Sequence, residues 1–333
     1  MRLVSYCLPA EADAAVRLGL LHIPGTERGG EDTGSTALVL DLCALARQHC
    51  AVELPPTLQA CITDSATALP RLRAVADWLE RCVSPPLDTA CPLGSVRLAL
   101  PCTPPRNVLC IGANYREHAA ELRAALAVEH SGTCPPVFTK PVTALTPASA
   151  ELVLDASVSR EWDYEVELAV VIGVGGANIP EERALEHIFG YSILNDVTAR
   201  DLQRQSSQWY LGKGVDASSP FGPCVVPAFA LPDPQACPIS CRVNGAMRQS
   251  AHTGHMLFSV ARLVHVLSSL GAALLPGDII ATGTPGGIGM SLNPPCYLRD
   301  GDTLDLHIGG MGHQRTTVRL RPGGYSLAGA NAL

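Results

Sequence analysis

The chain has 333 residues, 47% of them hydrophobic and 17% charged, with a formal net charge of −7. That length and balance suit a globular protein that buries one large core or two smaller ones, and the acidic surplus argues against nucleic acid or an anionic membrane as partner. The expected partner is a small molecule, held where a metal or a few cations reverse the local field.

The first residues, Met1-Arg2-Leu3-Val4-Ser5-Tyr6-Cys7-Leu8-Pro9, carry one early cation and a very short apolar stretch, unlike a signal or transit peptide. No apolar run approaches the eighteen or so residues of a spanning helix, so the cytoplasm is the expected location. The thirteen cysteines are odd in number and contain no C-x-x-C pair, which points to reduced thiols rather than a disulfide scaffold or a structural zinc site. Residues 1–100 read as a small α+β module. Leu38-Val39-Leu40-Asp41-Leu42 has strand character, and Leu69, Leu72, Val75, Trp78 and Leu79 recur at helical spacing, with Pro70 in a first turn and a break at Pro85-Pro86. No chemistry shows there.

Pro101, Pro104 and Pro105 punctuate the chain before Val108-Leu109-Cys110-Ile111-Gly112, a natural start for a second module over 104–321. That module is mostly strands and turns. Strands are expected at 166–172, 190–194, 224–227, 239–243, 278–282 and 303–308, and helices at 118–126 and 257–270. The tail, 322–333, is expected to be loosely held. The fold class is therefore α+β, mostly β.

Four places in this second module carry candidate chemistry. His118 and Glu121 stand at i and i+3 on one helix face, where a carboxylate orients an imidazole for proton transfer; a surface ion pair has the same spacing. Glu165 and Glu167 precede and enter an apolar, β-branched run, so period two puts both on one side of the sheet while Val166 and Leu168 fill the other. Asp196 follows a strand and can join them, and an all-carboxylate set suits Mg²⁺, Mn²⁺ or Ca²⁺. A solvated strand face bridged to arginine is the alternative. Lys213, between Gly212 and Gly214, offers either an anchor for an anionic substrate or a solvated surface charge. Last, Thr282-Gly283-Thr284-Pro285-Gly286-Gly287 leaves a strand as a glycine-rich turn whose amides, with the Thr284 hydroxyl, can face a ligand's carboxylate or oxyanion; an ordinary turn reads the same way. The Walker A, Gly-x-Gly-x-x-Gly and Gly-x-Ser-x-Gly patterns are all missing.

Taken in order, Asn114-Tyr115-x-x-His118, Phe138-x-Lys140-Pro141, Glu165-x-Glu167-Leu168, Asp196-Val-Thr-Ala-Arg-Asp201, Gly212-Lys213, Val243-Asn244-Gly245, Pro276-Gly277-Asp278 and Thr282-Gly283-Thr284-Pro285 resemble the fumarylacetoacetate hydrolase family over residues 104–320. The opening Met1-Arg2-Leu3-Val4 and the phrase Trp162 to Gly173 look closest to its domain-containing protein 2 branch, whose members carry a similar N-terminal module. The resemblance implies a mixed β-sheet (β-roll) catalytic domain, a homodimer, and Mg²⁺ or a similar ion on Glu165, Glu167 and Asp196. It implies that His118, Glu121 and Lys213 are catalytic and that Gln203, Thr284, Gly283 and Tyr115 contact substrate. Substrates would be 2-keto acids and 1,3-dicarbonyl compounds, and a mitochondrial location is also known in the family. Oxaloacetate keto–enol tautomerase ranks first; C–C hydrolase of acylpyruvates or fumarylacetoacetate-type compounds, oxaloacetate decarboxylase, and a metal-dependent keto-acid binder without turnover are the alternatives. Residues 122–136 are longer and more alanine-rich than the family pattern.

Overall fold

The computed structural model describes residues 1–9, 15–23, 37–82, 84, 86–126, 134–148, 151–269 and 271–322. Pro85, Leu270, the stretch 127–133 and the tail from 323 onward, all singled out by the sequence, lie outside the described residues.

The first hundred residues build an antiparallel five-stranded sheet in the order Ala90–Pro92, Leu38–Asp41, Arg17–His22, Leu3–Cys7, Arg97–Leu98. Asp41 ends one strand and caps the next helix, Leu42–Cys50, by accepting the Ala44 amide at 2.9 Å; Thr57 caps Leu58–Thr63 in the same way at 3.1 Å. The third helix, Ser65–Arg81, begins a turn earlier than its apolar spacing suggests, so Pro70 lies inside it rather than in its first turn. Its buried face is Ser65, Ala68, Leu72 and Val75, with Leu69, Trp78 and Leu79 partly covered. Pro70 points outward and is exposed, which lets the helix tolerate the lost amide.

The rest of the described chain is two main sheets, a two-stranded pair of Trp162–Asp163 with Thr198–Ala199, and little helix. The larger runs Val137–Lys140, Val108–Ile111, Ile279–Ala281, Val166–Ile172, Ile188–Asn195, Ser219–Phe221, Leu145–Pro147, with Val226–Pro227 also pairing to Ile188–Asn195. The smaller runs Ala246–His252, Pro238–Val243, Thr303–Ile308, Gly312–Arg321, Glu151–Asp155. Strand 166–172 has the expected bounds; 190–194 extends to Ile188–Asn195, and 224–227 and 278–282 shrink to Val226–Pro227 and Ile279–Ala281. The helix expected from Leu257 starts at Val260, because Asn114 takes the amides before it: its carbonyl accepts Leu257 N at 2.8 Å and its Oδ1 accepts Phe258 N at 2.7 Å.

Strand Val166–Ile172 is the centre of the molecule, and all seven of its residues are buried. Val166, Leu168, Val170 and Ile172 pack with Ile239, Cys241, Leu304 and Leu306 of the smaller sheet. The alternate residues, Ala169 and Val171, pack with Leu3, Leu18 and Leu40 of the N-terminal sheet. Both faces being covered explains a near-continuous apolar run in an antiparallel setting. Leu3 and Val225 exchange backbone hydrogen bonds at 2.9 and 2.8 Å, tying the first strand to the larger sheet.

Candidate active site

Glu165 and Glu167 sit at the start of that central strand, on the face that Ala169 and Val171 continue. Val166 pairs with Asn195, so the chain leaving the next strand brings Asp196 alongside; the Asp196 amide donates to the Glu165 carbonyl at 2.9 Å. One carboxylate oxygen from each of Glu165, Glu167 and Asp196 lies within 4.8 Å of the others, and all three residues are buried. A solvated face is thereby excluded, although its arginine is real. Arg200 Nη2 lies 2.6 Å from Glu165 Oε1, and Arg200 Nε 2.9 Å from Asp163 Oδ2.

Two lysines complete the charge set. Lys213 Nζ donates to Glu165 Oε2 at 2.7 Å and to Asp196 Oδ2 at 2.6 Å, and Lys140 Nζ lies 2.7 Å from Asp196 Oδ1. Lys213 is buried, so it is not a solvated surface charge. Four buried carboxylates (Asp163, Glu165, Glu167, Asp196) thus face three buried cations (Lys140, Arg200, Lys213), one negative charge in excess. Burial opposes ionisation of Glu165, but Lys213, Arg200 and His118 outweigh it and hold the carboxyl down at about 2. Burial pushes Glu167 up, and the like charges of Asp196 and Glu165 push it further, well above the usual carboxylate range. The contrast leaves Glu167 short of positive charge.

Helix Arg116–Leu126 carries His118 and Glu121, the pair expected from the sequence to transfer protons. His118 Nδ1 lies 3.2 Å from Glu121 Oε2, and His118 is buried in the wall of the same cavity as Glu165, Glu167 and Lys213, not on the surface. Glu121 Oε1 accepts the Gly287 amide at 2.8 Å and the Ser291 hydroxyl at 2.9 Å. Burial works against the Glu121 charge, yet His118, Gly287 and Ser291 bring its pKa below the ordinary value. An ionised Glu121 on Nδ1 fixes the imidazole and leaves Nε2 as the nitrogen for proton exchange.

The glycine-rich turn behaves differently from expectation. Its amides are engaged by the protein's own carboxylates: Gly283 N on Glu167 Oε2 at 2.8 Å, Gly287 N on Glu121, and Gly289 N and Met290 N on Asp163 at 2.7 and 3.0 Å. The Thr284 hydroxyl donates to the Val166 carbonyl at 2.9 Å and accepts from Gln249 Nε2 at 2.8 Å. Thr284 still lines the cavity, as does Gln203, whose Oε1 accepts from Arg200 Nη1 at 2.9 Å. Gly283 and Tyr115 are not among the walls. Tyr115 is buried, its hydroxyl has no hydrogen-bond partner among the described residues, and burial together with Glu167 raises its pKa. Facing the polar wall are Ile111, Gly112, Leu122, Phe138 and Trp209. The space between has a volume of about 10 Å³, enough for one water or ion.

The family model described as "Fumarylacetoacetate (FAA) hydrolase C-terminal" matches residues 107–319. The chain belongs to the fumarylacetoacetate hydrolase family, a family of enzymes. Among its relatives is the oxaloacetate tautomerase YisK of Bacillus subtilis (strain 168), 39% identical over 261 residues that cover 78% of this chain and 85% of that protein. The solved fumarylacetoacetate hydrolase from Exiguobacterium antarcticum is 35% identical with a TM-score of 0.71, over 96% of this chain and 100% of that one. Fumarylpyruvate hydrolase from Pseudomonas aeruginosa, solved in complex with Mn²⁺ and pyruvate, is 34% identical with a TM-score of 0.58, over 68% of this chain and 92% of that one.

A metal-dependent enzyme of this family needs a cation site, and the residues fit one. Asp196 Oδ1 is buried and accepts no hydrogen bond among the described residues even though Lys140 is close, Glu167 is crowded by like charge, and the whole donor set is oxygen. A divalent ion would turn one excess negative charge into one excess positive charge, which suits an anionic substrate. Motif reading passed over Lys140, Asp163, Arg200 and Gln249 as site residues. The first three lie inside recognised motifs, but nothing in a sequence says that a lysine or arginine is buried. Gln249, whose Oε1 accepts the Val166 amide at 3.0 Å while its Nε2 holds Thr284 and Pro285, carries no motif at all.

Proposed function

We propose that the protein is a divalent-cation-dependent keto–enol tautomerase of 2-keto acids, with oxaloacetate as substrate, Mg²⁺ as the ion, and a cytoplasmic homodimer as the working unit; Mn²⁺ or Ca²⁺ would satisfy the same oxygen donors. The observation that carries this reading is the placement of His118, backed by Glu121, in the wall of one small cavity with Glu165, Glu167 and Lys213. Similarity to the Bacillus subtilis oxaloacetate tautomerase supports it.

Glu165, Glu167 and Asp196 would hold the ion, whose Lewis acidity acidifies the C–H beside the keto group. The remaining work falls to the chain. Lys213 and Gln203 orient the substrate carboxylate, and His118 Nε2 shuttles a proton between C3 and the enol oxygen while Glu121 keeps the ring aligned. General acid–base transfer of this kind is worth about 10²–10⁴ in rate. A keto-acid binder needs the cation and Lys213 but no such base, which speaks against that role.

Similarity to the Pseudomonas aeruginosa fumarylpyruvate hydrolase supports a second reading, C–C hydrolysis of acylpyruvates. There the hydroxyl of water adds to the distal carbonyl carbon, the C–C electron pair stays with the pyruvate fragment, and His118 returns a proton to it. Purified protein given enol-oxaloacetate with Mg²⁺ distinguishes the two, together with decarboxylation. Loss of the enol without pyruvate release is the expected result. Pyruvate release from oxaloacetate, or cleavage of acylpyruvates with no enol loss, replaces this assignment. Glu165→Ala should abolish turnover, and turnover that survives removal of divalent cations refutes the metal-dependent reading.

A further inference from the structure

Trp209 stands apart from its surroundings. Residues 204–208 and Tyr210 are exposed, while Trp209 alone of this stretch turns inward to form a wall of the cavity. Its ring meets Phe138 edge-on, with centroids 5.3 Å apart, and packs with Ala113, Ala119 and Leu122. It lies so close to Gly112 that a Cβ there would be 2.6 Å from ring carbon Cζ3 and 2.9 Å from Cη2. The slot therefore exists because residue 112 has no side chain. Trp209 is also joined to the chemistry: its carbonyl accepts the amides of Gly212 and Lys213, each at 3.0 Å.

We infer that Trp209, seated on Gly112, is the specificity-determining wall of this site, restricting it to short 2-keto acids and excluding longer acylpyruvates and 2-keto acids with a bulky tail. The inference rests on the 2-keto acid reading of the cavity. The polar wall takes the keto-acid end. The distal end of any substrate then meets Trp209, Phe138 and Leu122, which close off a cavity whose whole volume is about 10 Å³. A longer substituent needs the indole to leave its slot. Gly112 does not have the left-handed backbone that only glycine favours, so Gly112→Ala adds one methyl group whose close contact is the ring, with Pro136 Cβ next at 3.4 Å.

The test is calorimetric binding of pyruvate and of 4-methyl-2-oxopentanoate in the presence of Mn²⁺, a readout independent of turnover. Wild-type protein should prefer pyruvate by about tenfold or more. Trp209→Ala, which removes the wall, and Gly112→Ala, which displaces it, should both erase that preference while Mn²⁺ affinity is retained. Equal binding of the two acids by wild-type protein overturns the inference, as does a preference unchanged in folded, Mn²⁺-binding variants. Should either variant not fold, intrinsic fluorescence of the wild type against Trp209→Phe decides: pyruvate should perturb the wild-type signal and leave that of the variant unchanged, and an identical response in both overturns the wall. Failure of wild-type protein to tautomerise enol-oxaloacetate while the size preference persists removes the proposed reaction and leaves the wall standing.

Discussion

At the scale of single residues, the site is a set of charges that hold one another in place. Glu121 illustrates it: His118, the Gly287 amide and the Ser291 hydroxyl together lower its pKa against the opposing effect of burial. A carboxylate whose folded pKa lies below its unfolded value adds stability above the unfolded value, near 4.5, and that stability is lost as pH falls through the folded value. Glu121→Gln should therefore flatten the acid limb of a stability–pH curve below about pH 4.5, and should also slow turnover by about 10²-fold by loosening the imidazole. Urea melts across pH 3–7 read the first, and the curves of the two proteins running parallel would contradict it. Residue identity was legible from the sequence here, but environment was not. Spacing, motif and the chemistry of oxygen donors singled out His118, Glu121, Glu165, Glu167 and Asp196, which the structure brings together. The burial of Lys213 was not legible, because a lysine between glycines looks the same whether solvent or two carboxylates surround it.

At the scale of elements, the central strand was the most readable part of the chain. Its β-branched run and the carboxylates at its start gave both its bounds and the face of the acids, because period two leaves no freedom once one face is apolar. The alternate strand residues serve different masters: Leu168 belongs to the core between the two sheets, and Glu167 beside it to the charge cluster. Leu168→Ala should cost about 2–5 kcal/mol of stability, measured by chemical denaturation, and a loss below 1 kcal/mol would show that the core relaxes around it. Short or mixed strands were harder. Leu3–Cys7, Leu-Val-Ser-Tyr-Cys, lacks alternation because both its faces are covered, and all five residues are buried. Leu145–Pro147 is a strand because it pairs in parallel with Ser219–Phe221, which itself pairs with Ile188–Asn195. Pairing of that kind leaves little trace in a window of local sequence. Pro70 misled for a related reason, since a proline on the exposed side of a long helix is sustained by the packing of its other face.

At the scale of the whole molecule, the N-terminal sheet is part of the core. Leu3, Leu18 and Leu40 share one apolar cluster with Val108, Cys110, Ala169, Val171 and Ile279, beneath the strand that bears the carboxylates. Removal of residues 1–100 strips that cover from the larger sheet, and an exposed apolar face of this size aggregates. A chain of residues 104–333 should accumulate as insoluble protein, and a soluble, Mn²⁺-binding fragment would show that the sheet needs no cover. The glycine-rich turn has a different reach. Within 283–290 its amides hold Glu167, Glu121 and Asp163, and Asp163 holds Arg200, which holds Glu165. One short length of main chain thus grips both the partner of His118 and the cage of acids. Their separation is measured by covalent backbone geometry and not by the swing of long side chains, so the turn acts as a ruler. An insertion of a single residue between Gly283 and Gly287 would mis-set that gauge even with every acid and base still present.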